Sequence, residues 1–485
     1  MVLHKSSVPI FKIGTIVALF PLFLYAMSVQ NDFKLMTRKL LVIALPIMLQ
    51  NLISSSLSFV DTLMIGQLGQ EHIAAVGIAN QIFFLISLFF FGISSGTSIF
   101  LSQYYGSAEY GKMRKTMAFA FTVCLIGSVL MSIFSFLFPE FIIHFFSYDQ
   151  AVVSYGIDYL KYVAFSYIFS AVSSTLSIGF RSISKAQLPL AITFISLSFN
   201  ALGNYLLIFG IGPFPELGVA GAAISTFLAR LLEMILLIFF TFKKGGTVFA
   251  FRKKEDFHFS KSFLKEYSKT SLPVLFNEVF WSLGMTLYKV AFARLGTEAL
   301  ATVNITESIA NFFFIAMLGI GNATTILLGN TLGKGEVERA RKWASSLLVL
   351  SLLIGLVMGL LEILMAPFFT SLFNVSMAVA LTAIASLRVN GLLQPIKSIN
   401  MTSIVGILRA GGDTRYAMAA EMLGVYLVGV PIAFLSAALL KLPLEYVYLL
   451  LGLEELTKTV LGLTRIRTGK WANVLSSKKN VETSL

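Results

Sequence analysis

Asp61 is the residue from which chemistry would start. It is the only formally charged side chain between Leu41 and Gly66, in the run Val60-Asp61-Thr62-Leu63-Met64-Ile65-Gly66. The run is long enough to cross a bilayer as a helix. An acid inside such a helix costs roughly 2.5–3.5 kcal/mol to insert, so it is expected to face protein or water and to have a use. One carboxylate can hold a proton, a sodium ion or the charge of a cationic organic molecule, but not all three at once. Burial disfavours its ionised form, which makes the group sensitive to whatever neutralises it. Counting back from the turn at Gly69, Asp61 lies roughly 12 Å along the helix, in the outer half of the membrane. Asn200, Asn204 and Thr62 offer oxygen donors if the ion is Na⁺; the same groups serve equally as hydrogen bonds between helices.

Other charged or polar side chains fall inside apolar stretches. Glu278 is either a second functional acid or a packing acid, and Asp61 or Glu278 is the metal ligand if Na⁺ is the ion. Glu307, Tyr288 and Gln81 are candidates for lining a substrate cleft. Lys397 and Glu421 are expected to neutralise each other, and Glu454 with Lys458 reads as a helix-end pair at i,i+4 spacing. Arg230 and Glu233 are too close in sequence to separate pairing from function. Asp413, after Gly411-Gly412, is expected to shape a turn. No nucleophile–base or metal-ligand constellation and no G-x-x-x-x-G-K-[ST] loop is present. The expectation is therefore no enzyme, no catalytic residue and no cofactor beyond a coupling ion, Na⁺ or H⁺.

The elements that hold these residues follow from composition. The chain has 485 residues, 56% hydrophobic and 13% charged, with mean hydropathy +0.83. A soluble domain carries about 25% charged residues, so this is an integral membrane protein, and its long apolar runs point to helices rather than a barrel. Net charge +13 does not signal nucleic acid, because Lys and Arg sit in short clusters between apolar runs. The single Cys124 permits no internal disulfide.

Twelve apolar segments are expected, near 41–66, 74–104, 117–138, 152–180, 187–210, 218–242, 270–293, 299–330, 343–368, 377–408, 416–440 and 443–464. Alternate loops carry the basic residues, and by the positive-inside rule these loops and both termini are cytoplasmic, in a plasma (inner) membrane protein. Residues 242–269 read as a cytoplasmic linker and 471–485 as a cytoplasmic tail. Residues 1–35 are a further span, a signal-like segment or an upstream reading, and nothing later in the chain calls for them.

The halves 36–241 and 270–470 repeat each other. A shift of 227 residues places Ala44-Leu45-Pro46 on Ser271-Leu272-Pro273, Leu68-Gly69 on Leu295-Gly296, Gly106 on Gly333 and Arg114-Lys115 on Arg341-Lys342. One residue further on, Arg181 matches Arg409. Each half starts and ends on the same side, so the repeats are parallel. The expected fold is an all-α polytopic membrane protein, twelve transmembrane helices in two parallel six-helix repeats around a central cleft, suited to alternating access. The repeat also shows where the halves differ: Asn51 aligns with Glu278, and Asp61 with Tyr288.

Several motifs together resemble the multidrug and toxic compound extrusion (MATE) family, closest to its NorM-like branch. They are Val60-Asp61-Thr62 with Gly66 and Leu68-Gly69, Gln103 and Gly106, Pro273 with Glu278, the stretch Phe214 to Ala223, and Leu408 to Thr414. The resemblance covers residues 36 to about 472. It implies export of amphipathic, often cationic, drugs and toxic compounds in exchange for inward-moving Na⁺ or H⁺, by a chain acting as a monomer in the lipid bilayer. It also implies a coupling role for Asp61 and, in the sodium-coupled branch, for Glu278. The tenth-helix acid of that branch has no match here, where Lys397-Ser398 stand, and Asn204 stands where proton-coupled relatives carry an acid. The alternative function is a lipid or lipid-linked saccharide flippase of related fold. Such a flippase would need a basic cleft, whereas the buried set here includes Asp61, Glu278, Glu307 and Glu421 against Lys289, Arg388 and Lys397.

Overall fold

The computed structural model describes residues 30–243, 246–373 and 375–475. Among the described residues there is no strand. The first half contains α1 (Gln30–Gly66), α2 (Gln70–Gly106), α3 (Tyr110–Leu137), the short α4 (Pro139–His144), α5 (Gln150–Val163), α6 (Ser166–Ser182), α7 (Gln187–Phe209) and α8 (Gly218–Phe242). The second contains α9 (Lys261–Ala293), α10 (Thr297–Gly333), α11 (Val337–Thr370), α12 (Met377–Leu408), α13 (Thr414–Leu439) and α14 (Leu444–Arg467). Nine described helices are long and apolar enough to cross a membrane, and α5 with α6, bent by 50°, make a tenth span. Helices α9 and α14, of 33 and 24 residues, have the length but more charge. The twelve-helix polytopic fold in two six-helix lobes is the one the sequence leads to.

The repeat is visible in the turns. Gly69 and Gly296, equivalent under the 227-residue shift, precede α2 and α10 with φ of 134° and 106°, values open to glycine alone at little cost. Ser260 and Ser376 cap α9 and α12 through their hydroxyls, and Asp149 caps α5 with bonds of 2.9 and 3.3 Å.

The lobes meet where α1 and α2 pack on α9 and α10. At the end that carries the basic loops, called here the basic face, α2 and α10 cross with their backbones touching. A β-carbon on Gly106 would collide with the Asn330 carbonyl, and one on Gly333 with the Gln103 carbonyl. These are equivalent pairs, so the pseudo-twofold axis passes between them. Helix α2 is buried on every face from Ser95 to Tyr104, yet exposed at Gln81, Phe84 and Leu85. Closure therefore lies at the basic face.

Several boundaries differ from the sequence-based ones. Helix α1 is already formed at Gln30, ahead of residue 35, and Asp32 ties this stretch into the fold. Asp32 accepts from Arg339 Nη2 at 2.9 Å and from Trp343 Nε1 at 3.0 Å. The remainder of the 1–35 reading lies outside the described residues. The linker is shorter than 242–269, because α9 already starts at Lys261, and Phe249 is fully buried against the first lobe. Residues 471–475 are no free tail: Trp471 is buried, and Gln103 bonds the Asn473 carbonyl and the Leu475 amide. Charge and polarity flagged the linker and the tail as solvent-facing; the buried aromatic side chains of Phe249 and Trp471 decided otherwise.

Candidate functional site

In the first lobe, the structure brings Asp61 of α1 together with Asn200 and Asn204 of α7. Asn204 Nδ2 donates to Asp61 Oδ1 at 2.7 Å. With its amide nitrogen turned toward the acid, Asn200 stands 3.1 Å from Oδ2. Both asparagines sit one face of α7 apart by four residues, which is why they reach the same carboxylate. They are 4% and 1% exposed, and the Asn204 side-chain carbonyl oxygen has no hydrogen-bond partner. Such an atom is costly to leave bare, and it lies beside a carboxylate. The acid itself is only partly buried. Arg230 of α8 interacts with Asp61 electrostatically but forms no ion pair with it; its guanidinium bonds Ser166 at 2.8 Å and lies 3.8 Å over the Phe83 ring. The geometry leaves Asp61 an acid held by neutral amides, beside a free carbonyl. That is a site able to take up a proton or a small cation.

Thr62, expected as a third oxygen donor, is not part of this cluster. It faces outward, and its hydroxyl bonds the Ser58 carbonyl of its own helix at 2.9 Å.

Glu278 is placed in a different setting. Arg409 Nη2 meets its Oε1 at 2.8 Å, while Arg409 Nη1 reaches across to Ser95 of α2 at 2.9 Å. With its charge already met by a buried guanidinium, Glu278 is less suited than Asp61 to hold a metal ion. The equivalent arginine, Arg181, bonds Gln50 Oε1 at 2.6 Å, and Gln50 bonds Thr193 at 2.8 Å. In the second lobe the positions of Gln50 and Thr193 are held by Asn277 and Glu421, again bonded, at 2.9 Å. Thr193 in turn donates to Glu233 Oε1 at 2.8 Å, so in each lobe the network around the arginine includes a carboxylate, placed on a different helix position.

The remaining candidates are dispersed. Tyr288, aligned with Asp61, does not line a cleft: it is 6% exposed inside the second lobe, donating to Glu454 Oε2 at 2.5 Å. Glu307 pairs with Lys289 at 2.8 Å, both partly exposed, and Gln81 is exposed on α2 away from the closure. The expected Lys397–Glu421 pair is absent. Lys397 bonds the Asn390 side chain instead, and Glu421 accepts from Asn277 of α9. Glu454 and Lys458 do pair, at 2.8 Å, but in the middle of α14 and almost fully buried, with Glu455 a second partner at 3.0 Å. Asp413 sits at the turn as expected, held by Arg465.

Sequence reasoning missed Glu362. It is fully buried in α11, bonded by Asn390 at 2.6 Å and Gln394 at 2.5 Å. The signal was present, since Glu362 is a lone acid in an apolar run, the same pattern that singled out Asp61. It also missed Glu455, bonded by Asn400 at 2.6 Å. Carboxylates thus outnumber cations in the second lobe's interior: Glu278, Glu362, Glu421, Glu454 and Glu455 face Lys397, Arg409 and Lys458. Among the described residues, no three His, Cys, Asp or Glu side chains are grouped to hold a metal ion.

The MatE family profile matches residues 46–206 and 273–435, one match in each lobe. An uncharacterized transporter, YisQ of Bacillus subtilis (strain 168), is 26% identical over 411 residues, covering 85% of this chain and 90% of that protein. A probable multidrug resistance protein NorM of Thermotoga maritima is 23% identical over 441 residues, covering 90% and 93%. Among solved structures, an outward-facing multidrug resistance MATE family transporter superposes with TM-score 0.81 at 18% identity, covering 90% of this chain and 97% of that one. A transporter of the MOP superfamily from Pyrococcus furiosus Vc1, reported with reversed polarity in its binding pocket, superposes equally well at 19% identity. These superpositions support the fold.

Proposed function

The chain belongs to the MatE family of transporters, and from that premise we propose that it exports amphipathic, cationic small molecules in exchange for an inward-moving H⁺ or Na⁺ bound at Asp61. The observation that carries this reading is the Asp61–Asn204–Asn200 cluster with its unpartnered carbonyl oxygen. Relatives named as probable multidrug resistance proteins support the substrate class. In the ionised state the carboxylate holds the amides of α7, and so ties α1 to α7. A proton cancels the charge those amides stabilise; a sodium ion takes the carboxylate together with the bare Asn204 oxygen. Either event changes how α1 packs on α7, and a cationic substrate restores the opposite state by competing for the same charge. The carboxylate excess in the second lobe favours a cationic cargo over a phosphate-bearing lipid. The chain works as a monomer in the plasma membrane, with its basic face and both termini in the cytoplasm.

The test is dye efflux from proteoliposomes under an imposed H⁺ or Na⁺ gradient. Wild-type protein is expected to expel an amphipathic cation against its gradient when one of the two ions is supplied. Asp61→Asn should lose this while still folding. Efflux by Asp61→Asn equal to wild type would remove Asp61 from the coupling step. Gradient-independent scrambling of a labelled phospholipid, without cation efflux, would favour the flippase reading.

A further inference from the structure

Along α1, on the side facing away from the core, runs a groove of about 600 Å³ with Lys34, Arg38, Leu41, Val42 and Leu45 in its wall and Pro46 with Gln187 of α7 at its side. Lys34, Arg38, Leu41 and Leu45 follow one another at helical spacing, so they form a single stripe. From Lys34 to Leu45 the helix rises roughly 16 Å. That is about half of a 30 Å hydrocarbon core, the depth of one leaflet. The polar end of the stripe is wholly cationic and its deep end wholly apolar. Among the described residues, neither Lys34 nor Arg38 has an ion pair or hydrogen bond. Arg339 close by is already held by Asp32 and Glu336.

We propose that this groove binds one anionic phospholipid, its headgroup on Lys34 and Arg38 and an acyl chain along Leu41, Val42 and Leu45. Charge complementarity selects the occupant. Two uncompensated cations at the headgroup level attract a net negative lipid, and a zwitterionic one gains little. The shape selects a lipid over a soluble phosphate, because beyond the cations the wall is apolar from Leu41 through Leu45 and Pro46. The site lies on the helix that carries Asp61, about four turns before it, and a bound lipid buttresses that helix against α7 through Gln187. The proposal rests on α1 crossing the membrane, and not on what the protein transports.

The experiment uses purified full-length protein in detergent, with retained lipid counted by native mass spectrometry as dioleoyl phosphatidylglycerol or dioleoyl phosphatidylcholine is titrated in. Wild-type protein is expected to retain the glycerol lipid in preference. The double variant Lys34→Gln/Arg38→Gln should bind it roughly thirtyfold more weakly, the loss expected for two basic residues. Leu45→Trp, which fills the deep end and keeps the charges, should also release it. Lys261→Gln/Lys265→Gln removes the repeat-equivalent cations outside the groove and should leave binding unchanged. Equal retention of the two lipids by wild type, or the same loss in both double variants, would overturn the site. So would displacement of the lipid by glycerol 3-phosphate at matched concentration, which would assign the charge to a soluble anion.

Discussion

A single amide decides what Asp61 can do. Asn204 gives its N–H to the carboxylate and keeps its carbonyl oxygen bare, so the pair is poised between holding a charge and receiving one. Asn204→Ala removes a hydrogen bond to an ionised group, worth about 1.5–3 kcal/mol. The ion concentration that half-saturates efflux should shift by roughly ten- to hundredfold, with Asn200 limiting the loss. Initial rates in proteoliposomes at graded ion concentrations would show it. Glu362 offers the contrasting case, an acid whose two oxygens are both satisfied. Glu362→Ala strands the Asn390 and Gln394 donors at about 1–3 kcal/mol each, so thermal unfolding in detergent should begin many degrees lower. Glu362→Gln keeps an acceptor and should cost less. Asp61 was legible in the sequence because a lone charge in an apolar run stands out. Its asparagine partners were legible only as polar residues four apart. The Arg409–Glu278 and Asn390–Glu362 pairs were not, since each joins helices whose relative rotation no sequence pattern gives.

Elements carry the closure. Helices α2 and α10 touch through Gly106 and Gly333, where any β-carbon would strike a backbone carbonyl rather than a side chain that could swing away. Gly333→Ala should therefore push the two helix ends apart and favour opening at the basic face. A cysteine placed at Ser98, in protein lacking Cys124, should then react faster with a membrane-impermeant maleimide added from that face. An unchanged rate would mean that the crossing does not gate access. The spans themselves were readable from apolar length and from the alternation of charged and uncharged loops. The 50° bend between α5 and α6 was not, because no proline or glycine marks it at Ala164–Phe165. Nor were the π-helical stretches Met401–Leu408, Leu423–Gly429 and Phe434–Leu439, which depend on packing rather than on local propensity.

At the scale of the whole molecule, two copies of one bundle have been given unequal charge. The first lobe keeps Asp61 among neutral amides, with Glu233 held separately by Thr193, and the second a network in which each buried cation has an acceptor. The lobes are also laced together at the basic face. Gln103 donates to the Ala410 carbonyl at 2.8 Å and the Asn473 carbonyl at 3.1 Å, and accepts from Leu475 at 2.7 Å. Gln103→Ala should free residues 471–475, seen as amide exchange there faster by roughly tenfold or more, at about 1 kcal/mol for each lost bond. The duplication was visible in the sequence through glycine and charged positions, but this lacing was not, because its C-terminal segment looked like a solvated tail. The central claim is that proton or sodium and cationic substrate compete for the charge of Asp61. It is tested most directly by ion release: a cationic substrate is added to purified protein in weakly buffered detergent while free H⁺ and Na⁺ are followed with selective electrodes. The wild type should release one of these ions on binding and Asp61→Asn none; equal release from both proteins would contradict the account.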